Sequence, residues 1–230
     1  HITCSRLDST RLRETMPELN VTETPNGVDI DYFHPTVAAQ ELNSLVFAGN
    51  LSWYPNSAAM LYFADHVWPL LRNAVPGIVM NLIGAHPPER LKALAASDPN
   101  FRVHGFVPDV RPHINSAAVY VCPIMDGGGT KLKVLDALAM GKPLVANPVA
   151  CEGIEVVDGE TVLFAERPAD YVGHIATLLR NPSERMRMGA RARSLVETSY
   201  SYAGIGRKLA RAMEECVQAS GHRPHGIPNP

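Results

Sequence analysis

At 230 residues the chain is long enough for one large domain whose core needs neither a metal nor disulfide staples. Hydrophobic residues at 46%, charged residues at 19% and a formal net charge of -2 describe an ordinary globular protein and give no electrostatic reason to expect nucleic acid or an anionic membrane surface as partner. The four cysteines, Cys4, Cys122, Cys151 and Cys216, have no CxxC spacing, which argues against a zinc site or a disulfide framework and for reduced thiols in a cytoplasmic protein.

His1 stands where a natural chain would begin with Met and is read as a fragment boundary. No apolar run approaches the ~18 residues of a membrane helix and no basic leader precedes a hydrophobic stretch, so neither a transmembrane segment nor a signal peptide is expected. Residues 9–16 read as a charged helix and 21–24 as a short extended piece before the Pro25-Asn26-Gly27 turn. From Ser44 onward, short apolar runs alternate with amphipathic stretches, the pattern of strand, helix, strand around a parallel sheet. The strand 45–48 ends at Gly49-Asn50, and a helix over 56–73 buries Leu61, Phe63, Val67, Leu70 and Leu71. The strand 79–83 ends at Gly84, a helix covers 88–97, and the strand 101–103 ends at His104-Gly105. A short helix after Pro108-Asp109 leads to the strand 118–122, stopped by Pro123.

The loop Met125-Asp126-Gly127-Gly128-Gly129 then opens a helix over 130–140, and Gly141-Lys142-Pro143 leads into the strand 144–146. A last strand near 161–164 precedes helices over 168–180, 182–198 and 202–219. The tail 221–230, rich in proline and glycine and without periodicity, is expected to be disordered. Strands written as near-continuous apolar blocks imply an α/β fold, a Rossmann-like parallel sheet with helices on both faces, and ligands in such sheets bind outside the carboxyl ends of the strands.

Three consecutive glycines between a buried strand and a helix allow a ligand to approach the main chain closely, and the helix amino end carries partial positive charge. Gly127, Gly128 and Gly129 with the start of the helix, the hydroxyl of Thr130 and the charge of Lys131 therefore form a candidate diphosphate site. Glycine loops also serve as plain tight turns, so this signal is weak alone. At 100° per residue, Leu132, Leu135 and Ala139 form the inward stripe and Asp136 falls inside it, where a carboxylate needs a partner: the hydroxyls of a ribose, or a neighbouring backbone that it caps. Trp53 and Tyr54 beside the first loop either stack on a ligand ring or start the helix and pack on the sheet edge. His104, a lone histidine at a strand end, is read as structural, and Glu152 and Glu155 as solvated loop carboxylates.

These residues resemble a known family. Asn26-Gly27-Val28-Asp29 with Phe33 and Pro35, Phe47-Ala48-Gly49-Asn50-Leu51, and Phe106-Val107-Pro108-Asp109 each resemble segments of the C-terminal lobe of GT-B glycosyltransferases of the large retaining group called group 1 or family 4. Most specific is Gly127-Gly128-Gly129-Thr130-Lys131-Leu132-Lys133-Val134-Leu135-Asp136-Ala137 followed by Gly141-Lys142-Pro143, which resembles the subfamily form GGGTRLKxLEAxAxGKPVV. The resemblance runs over 21–216.

It implies a nucleotide-diphosphate sugar donor, UDP-, GDP- or ADP-linked, with no further cofactor and no metal. Phe106 and Val107 would hold the base, Asp136 the ribose, and Gly128, Gly129, Thr130 and Lys131 the diphosphate, with Gly49, Asn50, Gly127 and Leu132 also in the donor site and Lys131 as the catalytic cation. Two departures are visible. Of the family's usual pair of glutamates, Asp136 replaces the second and Gly128 the first, which touches the donor sugar. The Arg common after the first loop's glycine is Asn50, and the Lys that follows it in the family has no counterpart in Ser52-Trp53-Tyr54-Pro55-Asn56.

On this reading residues 1–23 are a remnant of an absent acceptor lobe and linker, 24–200 the donor lobe, 201–219 a helix packing back toward the absent lobe, and 220–230 a disordered tail. The glycan or lipid-linked acceptor would bind through that absent lobe, and the fragment alone would transfer little sugar. A noncatalytic nucleotide-sugar-binding or regulatory module on the same scaffold is the alternative. A sugar-nucleotide epimerase would need acid and base groups not identified here, and a dehydrogenase would need GxGxxG after the first strand.

Overall fold

The structure, a computed structural model, describes residues 1–36 and 41–219; the tail expected to be disordered lies outside the described residues. At the start of the chain, β1 (Ile2–Thr3) and β2 (Thr22–Glu23) pair in parallel, joined through α1 (Arg6–Thr15), apart from the main sheet. Then follow β3 (Glu41–Ala48), α2 (Tyr54–Tyr62), α3 (Trp68–Ala74), β4 (Val79–Ile83), α4 (Glu89–Ser97), β5 (Phe101–Gly105), α5 (Arg111–Ser116) and β6 (Ala117–Cys122). The second half runs α6 (Leu132–Ala139), β7 (Leu144–Ala146), β8 (Leu163–Phe164), α7 (Pro168–Arg180), α8 (Pro182–Ser199) and α9 (Tyr202–Ala219).

All pairings in the six-stranded sheet are parallel, in the order β5-β4-β3-β6-β7-β8. The chain lays its strands outward from β3 to one edge, returns to the middle, and lays the rest toward the other edge. The direction of winding therefore reverses between β3 and β6, and crossover loops there leave the sheet on opposite sides, opening a crevice at the carboxyl ends. β4 and β6 are buried along their whole length, β6 as an unbroken apolar run and β4 as one interrupted only by Asn81. Helices close the faces, with α3 packed on α7 and α6 on α8.

The expected 56–73 helix follows a continuous helical path but is divided. Pro69 has no amide to offer the Asp65 carbonyl, and the preceding turn widens into a π-helix over Phe63–Val67. That widening rotates the following residues, so Trp68 and Leu71 are buried while Leu70, expected inside, is 47% exposed. The expected 161–164 strand shrinks to β8, and the expected 130–140 helix begins two positions later, at α6. Leu132, placed on the inward stripe by helical phase, is 52% exposed because it stands on the first turn, beyond the cover of the sheet. On α9, Tyr202, Leu209 and Met213 are exposed.

Candidate functional site

The carboxyl ends of β3, β4 and β5 are tied into one rim. The Gly49 amide donates to the Ile83 carbonyl at 2.9 Å, Leu51 to Ala85 at 3.0 Å, and Gly84 to Gly105 at 2.8 Å. A Cβ on Gly84 would stand 1.9 Å from the Gly49 oxygen, so the two turns approach more closely than any side chain permits. Over this rim lies a cleft of about 340 Å³ lined by Gly49, Asn50, Ile83, Gly84, Ala85, Phe106, Val107 and Val110. Gly49, Asn50, Phe106 and Val107, read from two distant loops of the sequence, are thus brought together. Phe106 is 77% exposed, a bare aromatic face at the mouth of an apolar cleft.

At the reversal point itself, β3 and β6 pair only as far as Val46 with Tyr120, while β3 continues along β4 to Ala48. The Tyr120 hydroxyl fills the gap: it donates to the Ala48 carbonyl at 3.1 Å and accepts from the Ala48 amide at 3.2 Å. Burial pushes its ionisation well up, so it remains a hydroxyl able to do both. Tyr120→Phe leaves two buried backbone groups without partners, and a loss of about 2 kcal/mol is expected, measured by urea unfolding.

Across the crevice, the glycine loop begins with Asp126 accepting the Gly127 amide at 2.6 Å. Gly127 and Gly129 adopt φ of 93° and 77°, which L side chains resist. Lys131 caps α6 from an extended conformation and is buried; its ammonium turns back to donate to the carbonyls of Gly127 and Gly129. In a planar trans peptide the carbonyl and the next amide point opposite ways. By holding those two carbonyls, Lys131 therefore aims the amides of Gly128 and Thr130 away from itself. Among the described residues, the amides of Gly128, Gly129, Thr130 and Lys131 donate to nothing. The Lys131 ammonium, expected to face a phosphate, is turned onto the loop carbonyls, where it organises the loop. The Thr130 hydroxyl is buried without a hydrogen-bond partner and lies against Gly153.

The carboxyl of Asp136, on α6, makes no hydrogen bond or ion pair among the described residues. Desolvation pushes its carboxyl up to about 7, opposed in part by Lys133. Lys133 is the residue whose role sequence reasoning missed. Its ammonium lies 5.2 Å from the centroid of the Trp53 ring, and its Cε lies 2.9 Å from where a Cβ on Gly49 would stand. Trp53 thus spans the crevice, with its Cη2 3.8 Å from the corresponding point on Gly127. Only the family string that contains Lys133 signalled it; contact with the β3 loop is not legible locally. His104 bonds to Asn81 at 2.9 Å and packs on His113, in keeping with its structural reading. Among the described residues no His, Cys, Asp and Glu group is placed to hold a metal ion, and no helix is long and apolar enough to cross a membrane.

Comparison with known proteins fits this geometry. Residues 43–181, which include the cleft, the glycine loop and Asp136, match the family described as glycosyl transferases group 1. A protein from Klebsiella pneumoniae, described as an uncharacterized 44.6 kDa protein in the cps region, is 23% identical over 164 residues, 68% of this chain and 42% of its own length. The chain therefore spans less than half of that relative. The crystal structure of HepE from Anabaena in complex with UDP superposes with a TM-score of 0.77 at 14% identity, over 93% of this chain and 63% of HepE. The C-terminal domain of a group 1 family glycosyl transferase, LpcC from Francisella tularensis, superposes with a TM-score of 0.63 at 17% identity, covering 76% of this chain and all of that domain, 100%. The six-stranded parallel sheet flanked by helices is the fold of these GT-B enzymes, and with the family model spanning its site the chain belongs to the group 1 glycosyl transferases.

Proposed function

We propose that the chain is the nucleotide-sugar-binding second lobe of a retaining glycosyltransferase, one that moves a hexose from a nucleoside-diphosphate sugar to a glycan or lipid-linked acceptor. The observation that carries this reading is the facing of two features across the reversal point: an apolar cleft at Phe106 and Val107, and a loop of unpaired amides from Gly128 to Lys131. A base fits the first and a diphosphate the second, with Asp136 accepting from ribose hydroxyls. Amides fixed in advance also stabilise the charge that develops on a departing diphosphate. The likeness to HepE, solved with UDP, and to a relative encoded in a cps region supports a sugar nucleotide and a polysaccharide setting.

The acceptor would bind on a first lobe. The short span against the Klebsiella relative, the full overlap with a C-terminal domain and the exposed apolar side chains of α9 support that division. The chain by itself then binds donor without appreciable transfer. A second reading, a noncatalytic binding module, is favoured by Gly128: a side chain there would meet nothing within 4 Å, yet the position carries none to touch a donor sugar. Calorimetric titration with UDP, GDP, ADP and their sugars tests the main reading. Binding of one nucleotide series with its diphosphate preferred over its nucleoside is expected, and binding of none overturns it. Turnover in the full-length protein separates the two readings.

A further inference from the structure

The Lys131 ammonium is turned onto its own loop carbonyls, and a second lysine, Lys133, stands beside the same unpaired amides. We infer that Lys133, reaching across the reversal point from α6 to the β3 loop, is the phosphate-binding cation of this site. This rests on the nucleotide-sugar reading and assigns the charge within it.

Lys133 stands on the first turn of α6, directly after the unpaired amides, so its charge and theirs address the same space. Among the described residues its ammonium has no hydrogen bond and no ion pair, and it lies over the Trp53 face. A largely desolvated ammonium is costly, and burial lowers its proton affinity here, an effect that Asp136 on the same helix offsets only in part. Such a cation is relieved by an anionic guest. Its neighbourhood also includes a second unsatisfied group. Asn56 is 2% exposed, and its Nδ2 donates to the Asn50 carbonyl at 2.7 Å while its Oδ1 is buried without a partner. The Lys133 Cε and the Asn56 Nδ2 come within 2.9 and 3.0 Å of the same point, the place of a Gly49 Cβ, so glycine there leaves room for both. The β3 loop therefore gives up the family's cation at Asn50 but keeps a floor on which a lysine from α6 lies.

The assignment separates Lys131 from Lys133 by what each does. Lys131 positions the loop; Lys133 touches the phosphates. In the protein, Lys133→Met is expected to weaken binding of inorganic pyrophosphate and of whichever of UDP, GDP and ADP binds by about 10- to 100-fold, with nucleoside affinity unchanged. A second measurement needs no substitution. The Lys133 ε-methylene NMR signal, shifted by the Trp53 ring, is expected to move on addition of pyrophosphate and to stay on addition of nucleoside. If the unaltered protein binds nucleoside diphosphates while Lys133→Met binds them equally well, or the methylene signal stays fixed, the assignment is overturned and the nucleotide-sugar reading stands. If the unaltered protein binds none of them, the nucleotide-sugar reading falls first.

Discussion

Gly84→Ala is expected to lower the melting temperature by about 6–12 °C, the consequence of a cost of about 3 kcal/mol. The added carbon would stand 1.9 Å from the Gly49 carbonyl oxygen, and that oxygen is backbone, so no rotamer change can relieve the overlap. β3 and β4 must separate at their carboxyl ends, stretching the bond from the Gly49 amide to the Ile83 carbonyl and widening the floor of the cleft. Stability and nucleotide affinity therefore fall together. Gly173→Ala on α7 is the matching control: its Cβ would meet nothing within 4 Å, and a helical alanine there stabilises by about 0.4–1 kcal/mol. Differential scanning calorimetry of both variants checks the pair. Equal melting temperatures for Gly84→Ala and the parent would show that the two turns are not in close contact.

Asp136→Asn is expected to stabilise the protein at pH 8 by about 2–4 kcal/mol while weakening nucleotide binding about tenfold. The Asp136 carboxyl is pushed up from 3.8 to about 7 by desolvation. Between those values the folded chain holds a proton that the unfolded chain has released, so stability falls as pH rises through that window and levels off above about 7. Asparagine removes the buried charge, so the gain is full at pH 8 and vanishes near pH 4. A carboxylate kept at such a cost, with no hydrogen-bond partner among the described residues, is the behaviour of a ligand-binding group. The same ionisation predicts that ribose-dependent affinity rises through pH 7 in the parent and not in Asp136→Asn. Urea unfolding at the two pH values, with calorimetry on nucleotide and free base, reads both effects.

Much of the fold was legible because β3, β4 and β6 each end in a short, largely apolar block closed by glycine or proline, at Gly49, Gly84 and Pro123. Strand order was not, since strands buried on both faces carry no alternation to say which neighbours they take. The π-turn at Phe63–Val67 shows another limit: one residue wound differently turned Leu70 outward, and only Pro69 hinted at it. At the site, the glycine loop and Asp136 could be read from spacing along one segment. The roles of Lys131 and Lys133 could not, because both depend on where a long flexible side chain goes. Lys131 folds onto carbonyls two and four residues back, and Lys133 crosses to a loop from the other half of the sheet.

The most direct test of the central claim, that a nucleoside diphosphate binds across the carboxyl ends of the strands, is backbone amide NMR during titration with UDP, GDP and ADP. The account predicts that the binding nucleotide shifts two groups of amides together, Gly49, Asn50, Phe106 and Val107 on one side and Gly128 to Lys131 on the other, with Asp136 between them. Shifts confined to the opposite end of the sheet, around Leu42, Lys142 and Arg185, or no shifts with any of the three nucleotides, would contradict it.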